Sequence, residues 1–212
     1  MVKKQRVYRK NRVGEVYTTK NLLIKWLANR FFNQVYRILK KINSSSLNGL
    51  EVGCGKGYLL SRLFKKGAVG RMAAIEIDAK WIKYAKTYHP VCSYFMSDVY
   101  KLNFKANSFD YIVATEILEH LTDPVSAIKE IRRVSKINAD IIISVPFEPF
   151  FHWCNLLRGK HLKRLGRTPE HVNFWSRGEI KTLLHEFIEI KEEYYLSTFP
   201  WLLFHGRFKQ GN

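Results

Sequence analysis

The sequence predicts an α/β domain: a mostly parallel sheet with helices on both faces. Three observations carry that expectation. Short apolar runs alternate with amphipathic stretches from Gly49 onward. The runs are continuous rather than alternating, as in "YIVAT" and "DIIISVP", which suits strands covered on both sides. A glycine-rich turn, "EVGCGKG", follows the first run directly, where sheets of this kind place their ligand-binding turn.

The elements follow in order. "NLLIKWLANRFFNQVYRILKKI" (Asn21 to Ile42) carries apolar residues at helical spacing, with Lys25, Arg30, Arg37, Lys40 and Lys41 on its polar side. "NSSSLNG" is turn chemistry and marks the entry to the main domain. The spacing divides the chain into 1–45, a basic arm with an amphipathic helix, and 46–212, the main domain. "GLEVG" reads as a first strand and "GYLLSRLFKKG" as a helix ended by Gly67. "RMAAIEID" is a second strand, "AKWIKYAKTY" a helix, "VCSYFM" a third strand and "FDYIVAT" a fourth. Pro124 opens the helix "PVSAIKEIRRVSK", since proline is tolerated in a first turn. "ADIIISVP" is a fifth strand, and residues 147–176 are expected to be irregular. "RGEIKTLLHEF" reads as a helix, and "IEIKEEYYL" and "FPWLLFHGRF" as a closing antiparallel pair.

Composition narrows the function. At 212 residues and 46% hydrophobic, the chain suits one folded domain. Cys54, Cys92 and Cys154 cannot pair completely and lack metal-type spacing, which fits a reducing, cytoplasmic setting. No apolar run approaches the ~18 residues of a membrane span, and no signal sequence is evident. The net charge of +18 is uneven, with 12 Lys and Arg against the single acid Glu15 between Met1 and Lys41. "LLRGKHLKRLGR" (Leu156 to Arg167) adds five basic residues and no acid. Such surfaces attract phosphates, in RNA, in anionic lipid or in a phosphorylated substrate.

The turn "EVGCGKG" supplies Glu51, Gly53, Gly55 and Gly57. A dinucleotide fingerprint needs its third glycine at position 58, which is Tyr58; a P-loop needs Ser or Thr after Lys56, and Gly57 stands there. An acid-x-Gly-x-Gly-x-Gly turn instead resembles the first motif of class I S-adenosylmethionine-dependent methyltransferases, of the type 11-like kind. "AIEID" places Glu76 at the end of the second strand, and "MSDVYKL" places Asp98 after the third. "NSFDYIVATEILEHLTDP", "AIKEIRRVSK" and "IIISVP" then follow in the family's order, so the resemblance spans about Gly49 to Pro146.

That resemblance implies a Rossmann-like seven-stranded fold and S-adenosylmethionine as methyl donor. Glu51 would face the cofactor's cationic end, Glu76 its ribose hydroxyls (with Asp78 as fallback) and Asp98 its adenine amino group. Gly53, Cys54, Gly55, Gly57, Ile77, Val99, Thr115 and Glu116 would line the same pocket. The segment "TEILEHL" carries an E-x-x-E-H pattern shared with ubiquinone-type O-methyltransferases. With "PEHVNFWSR", it also resembles the metal site of small-RNA 3′-end 2′-O-methyltransferases. Carried over, Glu116, Glu119, His120 and His171 would hold Mg²⁺, Mn²⁺ or Zn²⁺, which requires His171 within ~10 Å of His120. His120 or His171 acting as a metal-free general base is a second reading. A third leaves Glu116 as pocket wall, Glu119 solvated and His120 packing. His152 and His161 are read as surface or packing residues.

Oxygen of a small or lipid-linked acceptor is the expected methyl destination. No Asn/Asp-Pro-Pro-aromatic turn follows the fourth strand, which disfavours methylation of a base amino group. Residues 147–176 sit where the class places its substrate-binding insertion, with Phe147, Phe150, Phe151 and Trp153 as lid candidates. The amphipathic helix would either pack over the cofactor pocket or lie peripherally on anionic membrane with Trp26, Phe31 and Phe32 buried in lipid. RNA is the alternative acceptor, though no RNA-binding module accompanies the core. A non-catalytic cofactor- or partner-binding domain is the remaining alternative.

Overall fold

The structure is a computed structural model that describes residues 19–157, 165 and 171–209. Seven strands form one sheet in the order β3-β2-β1-β4-β5-β7-β6. They are β1 (Asn48–Val52), β2 (Arg71–Glu76), β3 (Ser93–Met96), β4 (Phe109–Thr115), β5 (Ser135–Pro146), β6 (Ile188–Tyr194) and β7 (Trp201–Phe208). The first five are parallel, and β7 runs antiparallel to both β5 and β6. The expected parallel sheet and antiparallel closing pair are both present.

Helices cover both faces because alternate strand residues feed two separate cores. Tyr111 and Val113 pack with α1 (Leu22–Lys41), α2 (Tyr58–Lys65) and α3 (Ala79–Tyr88). Ile112 and Ala114, their neighbours in β4, pack instead with α4 (Pro124–Val134) and α6 (Arg177–Phe187). Four of the helices start on a side-chain cap. Asn21 accepts from the amides of Leu23 and Ile24, Asp78 from Lys80 and Asp123 from Ser126, while Ser176 and Glu179 form a capping box.

Two expectations need correction. Residues 147–176 are not irregular throughout: Glu148–Leu157 is a helix, α5. Asp78, the fallback for the ribose, also caps α3 through Oδ1. Phe31 and Phe32 do not face lipid; both are buried in the core beneath α1, because its apolar stripe is used by the sheet. The basic arm 1–17 and nearly all of the 158–167 cluster lie outside the described residues, as do His161 and the side chains of Phe151 and Cys154.

β1 lies between β2 and β4, so the chain leaves β1 in one direction and returns on its other side. A crevice opens at such a switch point, beyond the carboxyl ends of β1 and β4. The glycine turn and the "TEILEHL" segment both emerge there.

Candidate active site

The glycine turn adopts a conformation that only glycine takes without strain. Gly53, Gly55 and Gly57 have φ of 76°, 51° and 78°. At Gly53 a Cβ would also stand 2.8 Å from Cδ1 of Ile117. The turn after β1 thus lies close against Ile117 of the turn after β4, which sets the two candidate regions side by side.

Glu76 ends β2 facing this turn. Its Oε2 accepts from the Gly55 amide at 3.0 Å, and its Oε1 from the amides of Ile77 (2.8 Å) and Asp78 (3.0 Å). Burial raises its pKa against those three amides, which favour the charged form. Glu51 is fully buried, and its Oε2 has no hydrogen-bond partner among the described residues. Desolvation first, then the charge of Glu76, pushes its pKa up to about 8. Burying a carboxyl oxygen without a partner is costly, which makes Glu51 a candidate partner for a cationic group. Cys54 and Val99 are buried nearby, Ile77 is exposed, and Thr115 pairs with Ser144 at the end of β4. Asp98 accepts from the Tyr100 amide at 3.0 Å and bridges to Lys101, which fixes the turn after β3.

Beyond β4 the backbone is contorted. Glu116 has φ of 57°, a left-handed conformation rare for a side chain of its size. The turn sends its carboxylate inward to accept from Ser144 Oγ at 3.0 Å and Trp201 Nε1 at 2.8 Å. Desolvation raises its pKa to about 8 despite these two donors. Three residues on, Glu119 is not solvated but 1% exposed, with Oε2 lacking a partner among the described residues. Burial and then Glu116 drive its pKa well above the usual carboxylate range.

His171 arrives from the segment before α6. The amides of Val172 and Asn173 donate to the Glu119 carbonyl at 2.9 and 3.1 Å. The Asn173 side chain donates to the carbonyls of Leu118 and Leu121 at 3.1 and 2.7 Å. These four bonds bring the imidazoles of His120 and His171 to a centroid separation of 4.9 Å. One ligand atom each from Glu119, His120 and His171 lies within 4.8 Å of the others. Glu116 stands apart from this trio, since both its oxygens are engaged by Ser144 and Trp201.

Sequence reading missed Glu148. It opens α5, is 1% exposed, and contacts Nδ1 of His171 through one oxygen. Its other oxygen lies 3.3 Å from Nε2 of His152. The spacing Glu148–His152, one helical turn, was the signal; it stayed hidden because residues 147–176 were not expected to be helical. Of the two readings for His152, surface or packing, its place beside Glu148 fits packing.

Comparison with known proteins agrees with this geometry. Residues 50–143 match the family model described as a methyltransferase domain. An uncharacterised methyltransferase of Schizosaccharomyces pombe is 32% identical over 98 residues, covering 41% of this chain and 35% of that protein. A mitochondrial ubiquinone biosynthesis O-methyltransferase of Candida albicans is 25% identical over 181 residues, covering 76% of this chain and 54% of that one. The chain spans about a third to a half of the length of these curated relatives. Among solved structures, a protein of Pyrococcus horikoshii superposes with a TM-score of 0.71 at 18% identity, covering 93% of this chain and 97% of that one. An S-adenosylmethionine-dependent methyltransferase of Aquifex aeolicus superposes with a TM-score of 0.64 at 20% identity, covering 92% and 96%. The fold is a Rossmann-like α/β sheet of the kind these solved structures share. Its core, residues 50–143, resembles the methyltransferase domain family.

Proposed function

We propose that the chain transfers a methyl group from S-adenosylmethionine to an oxygen of a small or lipid-linked acceptor. The observation that carries this reading is the cluster of buried Glu119 with half-buried His120 and His171, in the segments that follow β4 and precede α6. Methyl transfer to a hydroxyl requires a place for the proton, and a nearby imidazole or carboxylate provides one. The name of the Candida albicans relative, an O-methyltransferase, supports the same choice.

The donor supplies a methyl group on a sulfonium and leaves as neutral S-adenosylhomocysteine. Glu76 would bind the ribose hydroxyls, and Glu51 would offset the ammonium group. Glu116, held by Ser144 and Trp201, walls the methionine end. Because displacement at carbon is in-line, most of the acceleration comes from holding acceptor and donor at contact distance. His171 keeps Nδ1 on Glu148, so Nε2 is the atom left to take the acceptor's proton.

The same trio fits a divalent cation. Glu119 offers an oxygen without a partner, and the Glu148 carboxylate behind His171 is the outer-shell group that commonly orients a metal-binding imidazole. An ion there would lower the pKa of a bound hydroxyl.

The test is a release assay for S-adenosylhomocysteine with phenolic, catechol and RNA acceptors. Oxygen acceptors should turn over, and His171→Ala should reduce kcat about 10²- to 10⁴-fold with cofactor affinity retained. Turnover of RNA alone, falling steeply with salt, would replace this reading with the RNA alternative. Manganese titration followed by paramagnetic resonance reports on the cation directly. Binding lost in Glu119→Gln supports the metal, and no binding leaves His171 as the base.

A further inference from the structure

The first turns of α1 are left uncovered by the core. Ala28, Phe31, Phe32, Val35, Ile38 and Leu39 are buried, yet Leu22, Leu23 and Trp26 are 80%, 62% and 53% exposed. Leu196, 72% exposed, joins them: Arg30 donates to its carbonyl at 2.7 Å and stacks its guanidinium 4.6 Å above the Trp26 ring. The apolar apex is therefore built from two separate chain segments tied by one arginine. Its surroundings are cationic. Lys20 and Lys25 are exposed beside it, and no acid occurs between Val16 and Leu50.

The direction of α1 sets where this apex lies. At its far end Lys41 pairs with Glu192, beside the Asp140 end of β5. Nearer the start, Phe31 packs 5.4 Å from Trp201, the residue that donates to Glu116. The exposed apolar turns thus project from the end of the sheet that carries the site.

We infer that this apex is a docking surface for an anionic lipid bilayer. Leucine and tryptophan at the tip of a helix ringed by lysine and arginine match the apolar boundary and negative headgroups of such a surface. From Thr19 to Lys41 the described chain carries Lys20, Lys25, Arg30, Arg37, Lys40 and Lys41 and no acid, so the helix that bears the apex is itself positive. Docked there, the crevice faces the membrane, and an acceptor dissolved in lipid reaches it without crossing water. This inference does not require that the acceptor atom be oxygen.

The experiment is sedimentation of the full chain with vesicles of phosphatidylcholine, alone or with phosphatidylserine added. Wild type should bind the anionic vesicles far better than the neutral ones. Leu22→Ser/Leu23→Ser/Trp26→Ser should weaken binding at least ~10-fold, and Lys20→Gln/Lys25→Gln should cost about fivefold per lysine. Both variants should keep the wild-type melting temperature rise with S-adenosylmethionine, which separates lost docking from lost folding or a failed cofactor site. Three results would overturn the inference: no binding of wild type at low salt, unchanged binding by the triple variant, or a wild-type dimer that the triple variant dissolves. The last would make a second copy of the chain the occupant.

Discussion

At the scale of single residues, the site is a set of carboxylates kept from water. Glu51, with its pKa raised to about 8, binds a proton more tightly folded than unfolded. Its contribution to stability is thus present below the unfolded value near 4.5 and is lost as pH rises toward 8. Glu116 adds a loss of the same sign over the same window. The free protein should therefore melt at progressively lower temperature between pH 5 and 8 (roughly, from those shifts). A cation beside Glu51 would pull its pKa back down, so S-adenosylmethionine binding near pH 7 should release protons. Calorimetry in buffers of different ionisation enthalpy measures that release, and Glu51→Gln should diminish it. Binding without proton release would place the ammonium group elsewhere. Gly53→Ala tests the turn: with φ at 76° and Ile117 in the way, it should destabilise by about 1–3 kcal/mol and weaken cofactor binding. Glu51, Gly53 and Glu76 were legible in the sequence because their spacing follows from the turn between a buried strand and a helix. The left-handed Glu116 was not, since nothing in "ATEIL" announces a non-glycine residue in that conformation.

At the scale of elements, strands were legible from continuous apolar runs and helices from apolar spacing, with Gly67 and Pro124 marking two of their ends. The failures share a cause. α5 begins "EPFFHWCNLL", whose aromatics give no clean helical stripe, so Glu148 and His152 were not seen one turn apart on a helix. The docking of Asn173 onto Leu118 and Leu121 depends on side-chain contacts between distant segments, which periodicity does not encode. Asn173→Ala should loosen the His171 segment, leaving cofactor affinity intact while lowering turnover; equal loss of both would mean the segment supports the cofactor pocket instead. The far edge of the sheet holds another long-range cluster. His205 on β7 lies 2.8 Å from Asp140 on β5 and 3.0 Å from Glu192 on β6, which also pairs with Lys41 of α1. His205→Ala leaves two carboxylates short of a partner and should cost about 1–3 kcal/mol in chemical denaturation. A neutral outcome would show that Arg207 and Lys41 suffice.

At the scale of the whole molecule, the sheet's switch point gathers the glycine turn, the Glu116 to His120 segment and the His171 segment at one end. α1 projects its uncovered turns from that same end. Charge was legible at once, but its placement was not. Reading α1 as a lipid-facing helix assigned Phe31 and Phe32 to the membrane, whereas the sheet takes that stripe and leaves only the helix tip. No helix among the described residues is long and apolar enough to cross a membrane, so any membrane contact made by these helices is at the surface. Everything proposed for the acceptor side depends on the donor being bound in the crevice between β1 and β4. Thermal unfolding with and without S-adenosylmethionine tests that most directly. The cofactor at a hundredfold excess over its Kd should stabilise the folded chain by about 2.7 kcal/mol, and Glu76→Ala should melt cooperatively yet show no rise. An intact protein whose melting temperature ignores S-adenosylmethionine would contradict the account.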